Sequence, residues 1–143
     1  MVSVMKVILD TDVIVAAVQS ERGASRELLL RIVDGELAAG VSVPLLLEYE
    51  AVLKRPARLA ASGLSISDMD VVLDQIAAAM EHVELFFLWR PAVRDAADDM
   101  VLETAVNARA DYLVTFNQAD FGAIPGRFGI TVIRPGRLLE RLP

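Results

Sequence analysis

The 143-residue chain has no cysteine, a single histidine and, among its 14 basic residues, only two lysines, Lys6 and Lys54. Without cysteine there is no disulfide, no thiolate zinc centre and no thiol nucleophile. One histidine leaves no second choice of base for a Ser/His/Asp relay. No apolar stretch approaches the roughly 20 residues that span a bilayer, and no basic region followed by a hydrophobic block and cleavage site opens the chain. A cytoplasmic protein with no membrane association is therefore expected. The bases are outnumbered by 20 acids, giving a formal net charge of −6. Sequence-independent binding to nucleic acid grows with the phosphates that Lys and Arg neutralise, so any such role must rest on a local arginine patch or on bound cations. What remains well stocked is carboxylate chemistry.

Hydrophobic residues make up 55% of the chain, enough for one compact domain over residues 1–143 with its own core. Short apolar runs alternate with segments of helical spacing, the pattern of strands and helices around a parallel sheet. A strand is expected near 5–10 and a first helix near 24–34. Pro44 suits the first turn of a helix running from about 44 to 54 and stopping before Arg55-Pro56. Residues 57–64 read as a loop or short helix, and Ser65 or Ser67 as the cap of a helix with Ile66, Met69, Val72, Leu73, Ile76 and Met80 on its apolar face. Further strands are expected at Val83–Leu88, around 111–115 and in the tail from Gly129, with a polar turn at Trp89–Asp95, a helix near 98–109 and a short terminal helix.

Asp10 and Asp12 stand at the end of the apolar run Met5–Leu9, a costly place for negative charge. A carboxylate at the carboxyl end of a central parallel strand points toward the crevice where open α/β sheets bind ligands. Glu48 with Glu50, Asp98 with Asp99, and the stretch Asn117–Asp120 follow strands or lie in helices, and such positions gather at one edge of a parallel sheet. Crowded carboxylates raise one another's pKa unless a cation sits among them. Mg²⁺ or Mn²⁺ is the natural occupant: Mg²⁺ takes octahedral oxygen ligands at about 2.0–2.1 Å, commonly one or two carboxylates completed by water and phosphate. Such a site suits phosphodiester hydrolysis by an activated water. Structural readings exist beside these: Glu50 can pair with Lys54 four residues on, and acids in a first helical turn favour the helix dipole by roughly 0.3–1 kcal/mol.

Four segments together resemble a known family. They are Val7-Ile8-Leu9-Asp10-Thr11-Asp12-Val13-Ile14-Val15-Ala16-Ala17, the stretch Pro44–Pro56 containing Glu48, Arg94-Asp95-Ala96-Ala97-Asp98-Asp99, and Ala110–Phe121 containing Thr115, Asn117 and Asp120. In order and spacing they are similar to bacterial PIN domains of the toxin group of toxin–antitoxin systems, related to VapC-type ribonucleases. The resemblance implies a three-layer α/β/α fold with a central, mainly parallel sheet, and an Mg²⁺- or Mn²⁺-dependent endoribonuclease. It assigns Asp10, Glu48 and Asp99 as catalytic metal ligands. The fourth position, an acid in many relatives, is Asn117; either Asp120 substitutes for it or Asn117 holds a metal-bound water through its amide oxygen. Asp12 is a second departure, since relatives usually carry asparagine there. Thr11 and Thr115 are candidates to hydrogen-bond the metal shell or the phosphate, with Asp98 a secondary candidate beside Asp99. Arg22 and Arg26 near the start of the first expected helix are candidates for the RNA backbone, or part of a solvated face. The implied partners are an RNA substrate, a cognate antitoxin protein and a second copy of the chain in a homodimer.

Two rivals share parts of this pattern. Asp10-Thr11-Asp12 after an apolar strand imitates the acid pair of a haloacid-dehalogenase-like phosphatase, but no lysine follows Lys54, and the same gap weighs against a receiver-like phospho-accepting module. Asn117 keeps open a PIN domain that has lost turnover and acts as a protein-binding module.

Overall fold

The computed structural model describes residues 5–86 and 96–143. Five parallel strands form one sheet in the order β3-β2-β1-β4-β5: β1 Lys6–Leu9, β2 Ala38–Val41, β3 Glu81–His82, β4 Tyr112–Val114 and β5 Thr131–Ile133. Helices flank the sheet to give the three-layer α/β/α arrangement. They are α1 Thr11–Gln19, α2 Ala24–Val33, α3 Val43–Leu53, α4 Pro56–Ser62, α5 Ile66–Ala79, α6 Ala96–Ala108, α7 Ile124–Arg127 and α8 Pro135–Arg141. No described helix is long and apolar enough to cross a membrane.

β1 is the centre of the molecule, with Val7, Ile8 and Leu9 wholly buried. Burial on both faces is why this strand reads as a continuous apolar run instead of an alternating one. Its neighbours are β2 on one side and β4 on the other, in register Val7↔Ala39 and Leu9↔Val114. The chain thus departs from β1 in two directions, and a crevice opens at the carboxyl ends where the strand order reverses. Gly40 on β2 is required by close approach: a Cβ there would stand 2.8 Å from Val83 Cγ2 and 3.1 Å from Ile8 Cδ1.

The expected helices over 24–34, 44–54 and 98–109 are found within two residues of those bounds. Ser65, not Ser67, caps α5: its Oγ accepts from Asp68 N at 3.0 Å while the Asp68 carboxylate accepts from Ser65 N at 3.2 Å. Residues 57–64 resolve as α4, closed by Gly63 in the left-handed region at φ 72°, where a Cβ would be strained. Two expectations are corrected. The first helix is α1, not the helix over 24–34, because the chain turns at Asp10 and the apolar residues Val13–Val15 belong to a helix. The strand expected over Val83–Leu88 lies earlier, at Glu81–His82, with Val83 N–H still donating to the Val41 carbonyl at 2.9 Å. Its last residues and the polar turn Trp89–Asp95 lie outside the described residues. A 3-10 turn, Gln118–Phe121, and α7 fill a stretch that carries no clear periodicity.

Candidate active site

Asp10 is the hinge between the sheet and α1. Its backbone N–H completes the sheet by donating to the Val114 carbonyl at 2.9 Å. Its side-chain Oδ1 accepts from Thr11 N at 2.8 Å as the N-cap of α1, satisfying a donor that has no partner inside the helix. Its Oδ2 accepts from the Thr115 hydroxyl at 2.7 Å. One residue thus ends β1, starts α1 and ties both to the end of β4. Below it, the Tyr49 hydroxyl of α3 donates to the Leu9 carbonyl, and burial, with the nearby Asp10 charge, pushes that phenol well above its usual range.

Asp12, in the first turn of α1, leans toward the same strand end. Its Oδ2 accepts from Phe116 N at 3.1 Å and from the Asn117 amide nitrogen at 3.0 Å. Thr115 Oγ1 lies 3.4 Å away, but its single proton serves the shorter bond to Asp10. The two sequence departures, Asp12 and Asn117, are therefore in direct contact. Asp12 Oδ1 and Thr11 Oγ1 are buried without a hydrogen-bond partner.

Asp10 is 7% exposed, and no ion pair involves it or Asp12 among the described residues. Burial first, and then the Asp12 charge, push the Asp10 carboxyl from 3.8 up to about 7 against the two hydrogen bonds that favour its ionised form. Burial also raises Asp12, opposed by the Phe116 N–H. Two acids are held here in a place where neither ionises easily.

A groove of ≈ 460 Å³ opens over this pair. One wall is the α1 stripe Asp12, Val15, Ala16 and Gln19, at spacings of three, four and seven. The facing wall is Glu48 and Val52 of α3, continued by Arg55 and Arg58 at the start of α4; Asp98 of α6 and Asn117 complete the rim. Glu48 is half-buried, whereas Glu50 pairs with Lys54 at 3.1 Å on another face of α3.

Of the acids expected on the metal, Asp10 and Glu48 line the groove. Of Asp98 and Asp99, Asp98 lines the groove, while Asp99 is 3% exposed and outside its lining. Neighbouring helical residues point about 100° apart, so one acid faces the crevice and the other turns inward. Asp120 sits exposed in the 3-10 turn, away from the lining, and Thr115 is fully buried as a brace for Asp10. The two arginines expected on the RNA backbone lie away from this groove. Arg26 donates through Nε to the Ala17 carbonyl and through Nη2 to Val18 O at 3.1 Å, closing the last turn of α1. It lines a separate cleft between α1, α2 and α5, and exposed Arg22 lies before α2 and outside the groove. Arg55 and Arg58 are the groove's cations. No sequence motif singles them out: Arg55 lies beyond the end of α3 as the N-cap of α4, and Arg58 within α4.

The donor set is all hard oxygen, as Mg²⁺ or Mn²⁺ requires. The buried, partnerless Asp12 Oδ1 and the elevated Asp10 are features that a cation would relieve. As the side chains stand, no three acids among the described residues are gathered into a chelating cluster.

A family model described as PIN domain matches residues 6–119. No curated protein matches the chain. Among solved structures, a chain of the complex described as VapBC2 from Rickettsia felis bound to a DNA fragment from their promoter is similar over 91% of this chain and 98% of its own, with a TM-score of 0.62 and 18% identity. At that identity the likeness is one of fold. The family match runs from β1 into the 3-10 turn and takes in every groove residue, and on that ground the chain belongs to the PIN domain family.

Proposed function

We propose that the groove is the active site of a divalent-metal-dependent endoribonuclease, the toxin of a toxin–antitoxin pair. The observation that carries this reading is the pairing of buried Asp10 with half-buried Asp12, without a counter-ion among the described residues, at the floor of a groove that also presents Glu48 and Asp98. Asp10, Asp12, Glu48 and Asp98 would hold Mg²⁺ or Mn²⁺, with Asp98 in the place that the family resemblance gives to Asp99. When bound, such an ion supplies a water of lowered pKa and stabilises charge on a phosphodiester.

The chain's own residues do the rest. Thr11 and Thr115 fix the Asp10 carboxylate through both oxygens, so it meets a ligand with its rotamer already set. Half-buried Glu48 has the freedom to swing toward Asp10 and complete the set. Arg55 and Arg58, exposed on the rim, are placed to grip phosphates on either side of the scissile bond, which positions RNA without reading its sequence. They supply the local cationic patch that a chain of net charge −6 needs. By likeness to the VapBC2 complex, a cognate antitoxin is a companion proposal, and the family resemblance adds a homodimer.

The test is cleavage of a structured RNA in Mg²⁺ or Mn²⁺ by the wild type and Asp10→Ala. Metal-dependent cleavage that disappears in the variant is expected. Equal activity in both would sink the reading, and metal binding without any cleavage would make the protein a binding-only PIN domain.

A further inference from the structure

The contact between Asp12 and Asn117 joins the α1 wall of the groove to its rim. Asn117 is well anchored for a loop residue. Its N–H donates to Thr115 Oγ1 at 3.0 Å. The preceding Phe116 is held by Arg134, whose guanidinium lies 5.6 Å from the ring centroid and donates to the Phe116 carbonyl at 3.4 Å. A carboxylate oxygen can only accept, so the Asn117 amide must present its nitrogen to Asp12, as it does at 3.0 Å. Phe116 N–H and Asn117 Nδ2 both converge on Oδ2. The other oxygen, Oδ1, is left buried and unpartnered, an arrangement that costs free energy unless something else takes that lone pair.

We propose that Asp12 and Asn117 are a charge-transposed pair, in which Asp12 supplies the groove's second floor carboxylate and Asn117 is the positioning residue that clamps one of its oxygens, leaving the other for a cation. This rests on the reading of the groove as a metal site. An acid and an amide of the same chain length in contact can exchange places: whichever residue carries the acid, the other donates to it. An acid at both positions puts two carboxylates in contact; an amide at both leaves the floor one charge short.

The experiment compares wild type, Asp12→Asn, Asn117→Asp and the double exchange Asp12→Asn/Asn117→Asp. Mn²⁺ affinity is measured by calorimetry at pH 7.5, and melting temperature in chelator. Asp12→Asn is expected to bind Mn²⁺ at least about tenfold more weakly, a loss of the size seen when a group orienting a metal site is removed. Asn117→Asp is expected to lower the metal-free melting temperature, and the double exchange to recover both that temperature and most of the affinity. A double variant that binds Mn²⁺ no more tightly than Asp12→Asn would overturn the proposal. Failure of the wild type to bind Mn²⁺ would instead overturn the metal reading of the groove. In that case a double variant melting no higher than Asn117→Asp would overturn the pairing as well, because the metal-free comparison needs no ion.

Discussion

At the amino edge of the sheet, Asp111 accepts from the Lys6 backbone N–H at 2.9 Å and the Lys6 ammonium pairs with Glu81 at 2.8 Å, at positions open to solvent. At the carboxyl edge of the same sheet, Asp10 and Asp12 are held, among the described residues, by neutral donors only, and Asp10 is buried. Both edges carry acids at the ends of strands. At one, a cation and water neutralise them, which is how a surface keeps a sheet in solution. At the other, hydrogen bonds fix their direction while leaving their charge uncompensated among the described residues. Charge that is oriented but not neutralised costs stability, and a fold retains it where a ligand repays it.

The largest effect that separates the two edges is expected from Asp10→Asn. The amide keeps the shape and one accepting oxygen, yet metal-dependent cleavage should fall on the order of 100-fold or more, since losing a ligand costs at least what losing its support does. The same variant should be more stable than wild type in chelator at neutral pH, by differential scanning calorimetry. A variant that is both inactive and less stable there would break the contrast.

The pH dependence follows from the same residue. The folded Asp10 carboxyl is raised from 3.8 to about 7, so between those values the folded protein keeps a proton that the unfolded chain has released. Metal-free stability should therefore fall as pH rises from about 4 to about 7, by an amount on the order of a few kcal/mol, and level off above. The measurement is the melting temperature of wild type minus that of Asp10→Asn across pH 4–8. A difference that stays flat, or grows more favourable with pH, would contradict the burial account.

Smaller changes are expected at the rim. Arg55→Ala and Arg58→Ala should each weaken RNA binding and make its log–log salt dependence shallower by about 0.7 for each phosphate no longer neutralised; Arg22→Ala should change neither. The smallest effect belongs to the amino edge: Lys6→Ala should cost no more than about 1 kcal/mol, as exposed ion pairs do, and leave cleavage untouched.

Much of this was legible in the sequence because it rests on periodicity and strand-end chemistry. The buried run Val7–Leu9 and the apolar stripe of α5 announce themselves, and the cap of α5 is narrowed to Ser65 or Ser67. Asp10 announces itself as a groove acid, whereas Glu48 stands out from Glu50 only through the family resemblance. What was not legible depends on direction in space. Val13–Val15 suits a strand as well as a helix, and only the turn enforced by Asp10 as an N-cap decides it. Asp98 and Asp99 differ by one helical step, which no spacing rule resolves without knowing how α6 is rotated. Arg26 looked like a free cation because nothing in sequence shows that the last turn of α1 lies within its reach. Asp12 and Asn117 looked like two separate departures because 105 residues divide them; the parallel pairing of β1 with β4 brings them together.

A crystal soaked in Mn²⁺ and measured at the manganese absorption edge tests whether the carboxyl edge is a metal site. An anomalous peak bonded to Asp10 is expected, with Asp12, Glu48 or Asp98 completing the protein ligands. A peak elsewhere on the molecule, or none at saturating Mn²⁺, would refute the metal site.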